Sequence, residues 1–471
     1  MGGDALRPRP AIHQAARLGR ARESRTGFRR PTLGLGLLAW LVLAGTVVGC
    51  RSPGAGGKAG LPATPSPTAA APHVWAHWER AAILSLGLQS LPEPPPDPSN
   101  RLAEEETAIE LGYHLFFDAG LSANGRISCA SCHVPALGFA DGLPLARGLG
   151  EVARGTPSLI GIGWSPWFYW DGRKDSAWAQ AMAPMQAPAE MGRARVDLAR
   201  ALQSDYAAEL RALGGASPDL EDRARFPAGA GPDAADPRNR AAWTAMSPVD
   251  RDNVNRVVVL AGKAIAAYER LLRPAPVALD RYVNLLHKHH DGPTAEHRAT
   301  LSDEQAQGLR LFVGKAECTH CHNGPRLTND DFHNIGLGPL EGRPADLGRA
   351  DGLHALAEDA FRCDKGYSDA APEDCLELRF LKTEGPTLAG AFKVPTLRGV
   401  AGTAPFMHDG RFETLEQVVA HYDAAAPAMI GISELVPLGL TDVERRQLVA
   451  FLRTLAPEVE TEARWLVAPR D

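Results

Sequence analysis

Cysteine is scarce in this chain, seven among 471 residues, and the seven divide without remainder. Four lie in two Cys-x-x-Cys-His motifs, Cys363 and Cys375 form a close pair, and Cys50 ends an N-terminal apolar run. With so few thiols, zinc at Cys363 and Cys375 would need two more ligands in tetrahedral reach, whereas a disulfide closing that loop fits an oxidising compartment. Positive charge is also in deficit. The formal charge is −6; residues 1–49 hold eight Arg against Asp4 and Glu23, a net of +6, so residues 50–471 carry −12. That balance argues against a nucleic-acid partner and mildly favours a basic one. Hydrophobic content of 44% and charged content of 23% are ordinary for a globular chain.

Histidine is missing between His133 and His287, and the gap follows the sequence Cys129-Ala130-Ser131-Cys132-His133. Two cysteines spaced for the vinyl groups of one porphyrin, then a histidine placed to ligate its iron, form the c-type haem attachment signature. A second copy runs Cys318-Thr319-His320-Cys321-His322. About 0.003 such matches are expected by chance at this composition, so two mark two covalent haems. A haem that only carries electrons has its second axial face closed by Met or His; no nearby histidine serves the first motif, and the reading is one haem left open for chemistry.

In chain order, residues 1–30 are basic and residues 32–49 apolar and uncharged. This suits a signal peptide over 1–50 or a bilayer anchor, and Val47-Val48-Gly49-Cys50 resembles a bacterial lipoprotein processing box, with Cys50 the lipidated residue. The expectation is a periplasmic protein held to the membrane by that lipid. Residues 51–100 read as a flexible Pro/Ala/Gly-rich tether, with Trp75 and Trp78 near the start of folded structure. Gly112-x-x-Leu115-Phe116 precedes the first motif and Gly308-x-x-Leu311-Phe312 the second, an apparent internal duplication. The expected fold is therefore mainly α, with two cytochrome-c-like helical domains, residues 101–285 and 286–460, one haem each. Residues 253–272 read as a helix bridging them. His287, His289 and His290 read as surface. Ser302/Gln305, Thr414/Gln417 and Thr441/Glu444 are helix-capping boxes. The cluster Trp164, Trp167, Phe168, Tyr169 and Trp170 suggests core packing, and Glu190, taken alone, a solvated carboxylate.

Over roughly residues 100–460 these features resemble the bacterial di-haem cytochrome c peroxidase family, including its MauG branch. The specific part is Trp170-Asp171-Gly172-Arg173, then Gln180 and Pro184, then Glu190-Met191-Gly192, with a second signature over Lys393–Gly410. The resemblance implies a peroxidatic haem at His133, Glu190 as its acid/base, Gln180 as a polar companion, and Trp170 as the electron route between haems. It also implies a six-coordinate haem at His322. Family peroxidases carry Met where Tyr422 stands, the MauG branch Tyr; Met407 is the alternative ligand. The family's inter-haem calcium would lose its usual Asn ligand, because Gly155 stands there, leaving carbonyl oxygens of Thr403 and Pro405.

The chemistry agrees. Heterolysis of a peroxide needs a group that moves a proton between its two oxygens, and a carboxylate in a poorly solvated aromatic pocket has its pKa raised toward that task. The expected function is a periplasmic peroxidase reducing hydrogen peroxide with electrons from a small redox protein. One alternative is a MauG-like enzyme that uses peroxide to oxidise residues of a partner protein, and the other a non-catalytic di-haem carrier.

Overall fold

The computed structural model describes residues 71–215, 218–290 and 292–470; Cys50, the signal segment and residues 51–70 lie outside them. It is mainly helical, with one two-stranded antiparallel sheet, Phe332–His333 against Phe392–Lys393.

Two hydrophobic cores organise the described residues. In the first, the helix Glu106–Phe117 crosses the helix Pro248–Glu269, which also packs on Ala177–Gln186 and Arg195–Asp205. The second is built on Asp303–Val313 crossing Asp442–Leu452, with Leu415–Ala424 beside the latter. The duplicated glycines explain both crossings. A Cβ on Gly112 would stand 1.9 Å from the Ala264 carbonyl oxygen, and one on Gly308 would stand 2.0 Å from that of Gln447. Only glycine lets the two backbones approach so closely. Leu115, Phe116, Leu309 and Phe312, all fully buried, then fill the space beside each crossing. The three capping boxes form; Ser302, for example, accepts the Gln305 N–H through Oγ while Gln305 Oε1 accepts the Ser302 N–H.

Three boundaries differ from the sequence expectation. Residues 253–272 do not bridge the halves: from Val254 to Tyr268 the helix is buried on nearly every face, with Val257, Val258, Ala261, Ala264 and Ile265 in the first core. A helix apolar all round belongs inside a core. The tether does not extend to residue 100 either. The helix His77–Leu84 sends Ile83 into the second core, followed by Leu86; Ser99 accepts the Trp178 indole N–H and Asn100 donates to the Lys263 carbonyl in the first. Pro-rich composition weakens helices but not packing, and the carbonyls of Pro92 and Pro95 receive Trp164 and Arg270.

Finally, the halves do not divide at 285/286. Val277, Leu279, Tyr282, Val283 and Leu286 already belong to the second core, whereas Phe361 and Trp465 return to the first. The insertion carrying the Cys363–Cys375 disulfide lies against the first half. Lys263 pairs with Asp369 at 2.6 Å, Lys174 with Asp359 at 2.7 Å, and Tyr367 accepts from Asn255.

Candidate functional site

The two attachment motifs sit in matching frames. His133 donates from Nδ1 to the carbonyl of Phe139 (3.0 Å), and His322 from Nδ1 to the carbonyl of Leu327 (3.0 Å). Phe139 and Leu327 both have left-handed backbone, φ +60° and +54°, which turns each carbonyl toward its imidazole at a cost of about 1–2 kcal/mol for a residue with a Cβ. A hydroxyl supports each loop one residue earlier: Ser158 donates to the Gly138 carbonyl and Thr396 to that of Arg326. Each hydroxyl then accepts the N–H two residues on, from Ile160 and Arg398. Fixing the proton on Nδ1 leaves Nε2 of each histidine as the lone-pair ligand, and burial lowers both pKa values, so the ligating neutral form is the one present.

A cavity of about 720 Å³ opens at the first motif, lined by Cys129, Cys132 and His133 and, on other walls, by Tyr169, Trp170, Gln180 and Glu190. The turn bearing Glu190 is held by backbone: Leu149 N–H donates to the Glu190 carbonyl, Gly150 N–H to that of Ala189 and Ala123 N–H to that of Met191, at 2.8–2.9 Å. The loop passes so close that a Cβ on Gly148 would stand 2.4 Å from the Glu190 carbonyl oxygen. Burial raises the Glu190 pKa, with Arg173 opposing it in part. The carboxyl is thus shifted toward the range where it both takes and gives a proton.

Tyr169 and Trp170 sit on a short hairpin closed by the Phe168–Lys174 bridge. Consecutive side chains part there. Tyr169 faces Gln180, Glu190 and Arg173, while the Trp170 indole N–H donates to the Gly155 carbonyl at 2.9 Å. The Trp170 carbonyl in turn accepts the Lys393 N–H at 2.7 Å. Gly155 lies two residues before Pro157 and Lys393 two residues before Pro395, and the backbone of each proline lies close to the imidazole of His133 or His322. Trp170 is therefore pinned between the two histidine loops. Around it, Arg154 bridges Asp171 (2.6 Å) and Asp346 (2.8 Å), joining the first half to the 340–385 insertion. Gly155 also donates to the His408 carbonyl; among the described residues, no group of three or more His, Cys, Asp or Glu side chains is arranged to hold a metal ion.

At the second motif, Tyr422 is half-buried and close enough to Cys318 and Cys321 to interact with them electrostatically. His421 is engaged elsewhere, its Nε2 donating to the Ile335 carbonyl at 2.7 Å. Met407 lines the cavity of the first motif together with His133, and Met191 does so too. Met182 and Met185 are packed in the first core, 2% and 0% exposed.

The residues present fit a covalent haem at each motif. The thiols of Cys129, Cys132, Cys318 and Cys321 form no disulfide, each histidine keeps Nε2 available, and the first cavity is of cofactor size. Sequence reasoning missed the matching frame behind these histidines. Its signal was present: Pro157-Ser158-Leu159-Ile160-Gly161 and Pro395-Thr396-Leu397-Arg398-Gly399 share Pro-Ser/Thr-Leu-x-Gly. It missed Glu269 as well, a buried carboxyl on the cavity wall whose Oε2 has no hydrogen-bond partner.

A family profile described as di-haem cytochrome c peroxidase matches residues 106–288. The methylamine utilization protein MauG of Methylorubrum extorquens is 33% identical over 378 residues, covering 78% of this chain and 83% of that protein. The cytochrome-c peroxidase IdrP2 of Denitromonas iodatirespirans is 30% identical over 378 residues, 79% and 85% of the two chains. The crystal structure of a MauG-like protein associated with microbial copper homeostasis superposes with a TM-score of 0.51 at 25% identity, covering 81% of this chain and 97% of that one.

Proposed function

Because the chain belongs to the di-haem cytochrome c peroxidase family, a family of oxidoreductases carrying two haems, we propose that it reduces hydrogen peroxide at a c-type haem held by Cys129, Cys132 and His133. Cys318, Cys321 and His322 would hold the second haem, which would supply the entry point for electrons from a small redox protein, and the overall reaction consumes two electrons and two protons per peroxide to give two waters. The observation that carries this reading is Glu190, a carboxyl with a burial-raised pKa on the wall of the His133 cavity.

The bound haems supply iron that binds peroxide and exchanges electrons. Glu190 takes the proton from the near oxygen of the peroxide and delivers it to the far oxygen, which leaves as water when the O–O bond breaks. Gln180 orders the polar side of the pocket. Trp170, held by Gly155 and Lys393, offers the aromatic route between the two histidine loops. A carrier with both irons closed by methionine has less support, since Met182, Met185 and Met191 are all packed in the first core at 0–2% exposure, although Met191 and Met407 also line the cavity. The test is Glu190→Gln, which keeps size and polarity but cannot shuttle a proton. Turnover is expected to fall on the order of 10²–10⁴-fold with both haem spectra retained, and wild-type turnover in the variant returns Glu190 to a solvated carboxylate.

A second reading is favoured by Tyr422. A phenolate is a hard anionic ligand that stabilises higher oxidation states, unlike a thioether. Were Tyr422 to hold the second iron, its phenolate would let that haem take part in storing oxidising equivalents, as suits an enzyme that oxidises residues of a partner protein. We place the protein in the periplasm, held by lipid on Cys50, an anchor that Cys50→Ser releases.

A further inference from the structure

Among the polar groups that line the first cavity with Glu190 and Gln180 is the hydroxyl of Tyr169. The sequence assigns Tyr169 to an aromatic cluster, but only its neighbours Trp167 and Phe168 are buried as core, at 6% exposure each. Tyr169 has left-handed backbone, φ +67°, a conformation disfavoured for an aromatic residue that turns its ring out of the core and onto the cavity wall. There the Gln180 amide and the Glu190 carboxyl both lie close enough to the phenol to act on it electrostatically. The Arg173 guanidinium stands 3.4 Å from the ring centroid and is itself held by Asp171 at 3.0 Å.

We propose that Tyr169 is a catalytic residue whose O–H donates a hydrogen bond to the oxygen ligand bound opposite His133, acting with Glu190 during cleavage of the O–O bond. The proposal rests on the peroxidatic reading above. Three observations define the role. Tyr169 lines the same cavity as His133 with the Gln180 amide beside it, whose N–H groups can only donate, so the phenol's own proton is left for the ligand the cavity takes. Burial pushes the phenol pKa up, so the O–H is present throughout the working pH range. The cation over the ring face opposes removal of an electron from it. Tyr169 is thus a donor rather than an electron relay, and the relay is left to Trp170 on the other side of the hairpin. When Glu190 passes its proton to the far oxygen, the Tyr169 O–H stabilises negative charge developing on the peroxide without itself being lost, so no atoms or electrons are added to the balance.

The experiment is fluoride titration of the ferric holoprotein, since fluoride binds open ferric haem and reads hydrogen-bond donors above it. Tyr169→Phe keeps the ring under Arg173 and removes only the hydroxyl. The expected result is about tenfold weaker fluoride binding in the variant, ~1.4 kcal/mol, with the high-spin EPR signal retained. As a measurement needing no variant, the wild-type Fe–F stretch is expected to shift in D2O. Equal fluoride affinity in wild type and Tyr169→Phe, or a stretch unmoved by D2O, overturns the donor role while the open haem stands. A wild-type protein with no high-spin ferric signal and no fluoride binding removes the open haem, and this inference with it.

Discussion

Replacing Arg398 is expected to cost the second half more stability than any other single change in the His322 loop. Arg398 and Asp280 form a bidentate pair at 2.6 and 2.9 Å, with each side chain only 2% exposed. Arg398 also donates to the carbonyls of Pro325 and Leu86, and Asp280 accepts the N–H groups of Leu88 and Val277. The pair thus ties together the N-terminal segment, the start of the helix Ala278–Lys288, and the loop that carries the His322 carbonyl partner. At the matching place in the first half stands Ile160, so Arg398→Ile introduces a residue that the equivalent loop backbone already carries.

The variant leaves the Asp280 carboxylate buried without its cation. Removing one member of a buried pair costs about 3–5 kcal/mol, and at roughly 2–4 °C per kcal/mol for a unit of this size the unfolding midpoint should fall by ~6–20 °C. Thermal unfolding of the holoprotein, followed at the Soret band, measures this. Asp280→Asn alone should cost a similar amount by stranding the guanidinium. Arg398→Ile with Asp280→Asn should cost clearly less than the two together, with a coupling of at least ~2 kcal/mol. A single-variant loss under ~1 kcal/mol, or additive losses, would refute the claim that the charges depend on each other.

Gly308→Ala should lose at least ~1–3 kcal/mol through overpacking, read as a lower midpoint, because the new methyl meets the Gln447 carbonyl rather than a movable side chain. Tyr422→Phe should abolish the low-spin EPR signal of the second haem and Met407→Leu should leave it; the opposite pattern makes methionine the ligand. Burial raises Glu269 from 4.5 to about 8, so the folded state holds this proton more tightly than the unfolded chain. The stabilisation is complete below pH ~4.5 and is lost as pH rises toward 8, up to ~5 kcal/mol. Glu269→Gln should flatten that decline in unfolding measurements between pH 5 and 8, and a parallel decline in both proteins would exclude Glu269 as its source.

What could be read in the sequence is what is local. The haem motifs and the caps at Ser302, Thr414 and Thr441 act within a few residues of themselves, so their spacing records their role, whereas the glycines of Gly-x-x-Leu-Phe meet Ala264 and Gln447 far along the chain and were legible only through their repetition. What could not be read depends on pairs far apart in the chain. Asp369 in the 340–385 insertion looks like any surface carboxylate until the fold sets it 2.6 Å from Lys263. Likewise Ile83 and Leu86 are two apolar residues in a linker-like composition until the helix Ala278–Lys288 covers them.

The histidine frames are the instructive middle case. Their supports, Ser158 and Thr396, do stand in a shared pattern, but the carbonyls that they orient belong to Phe139 and Leu327. Where glycine takes a left-handed backbone, the sequence shows it; where Phe, Leu or Tyr does, the strain is imposed by the surrounding fold and leaves no mark. Phe139, Leu327 and Tyr169 all take that conformation, and each presents a polar group, two carbonyls and one hydroxyl, to the chemistry of a haem site. At these three positions backbone strain marks a haem site where composition and periodicity read only packing, while His73 and Ala425 take the same conformation away from the site.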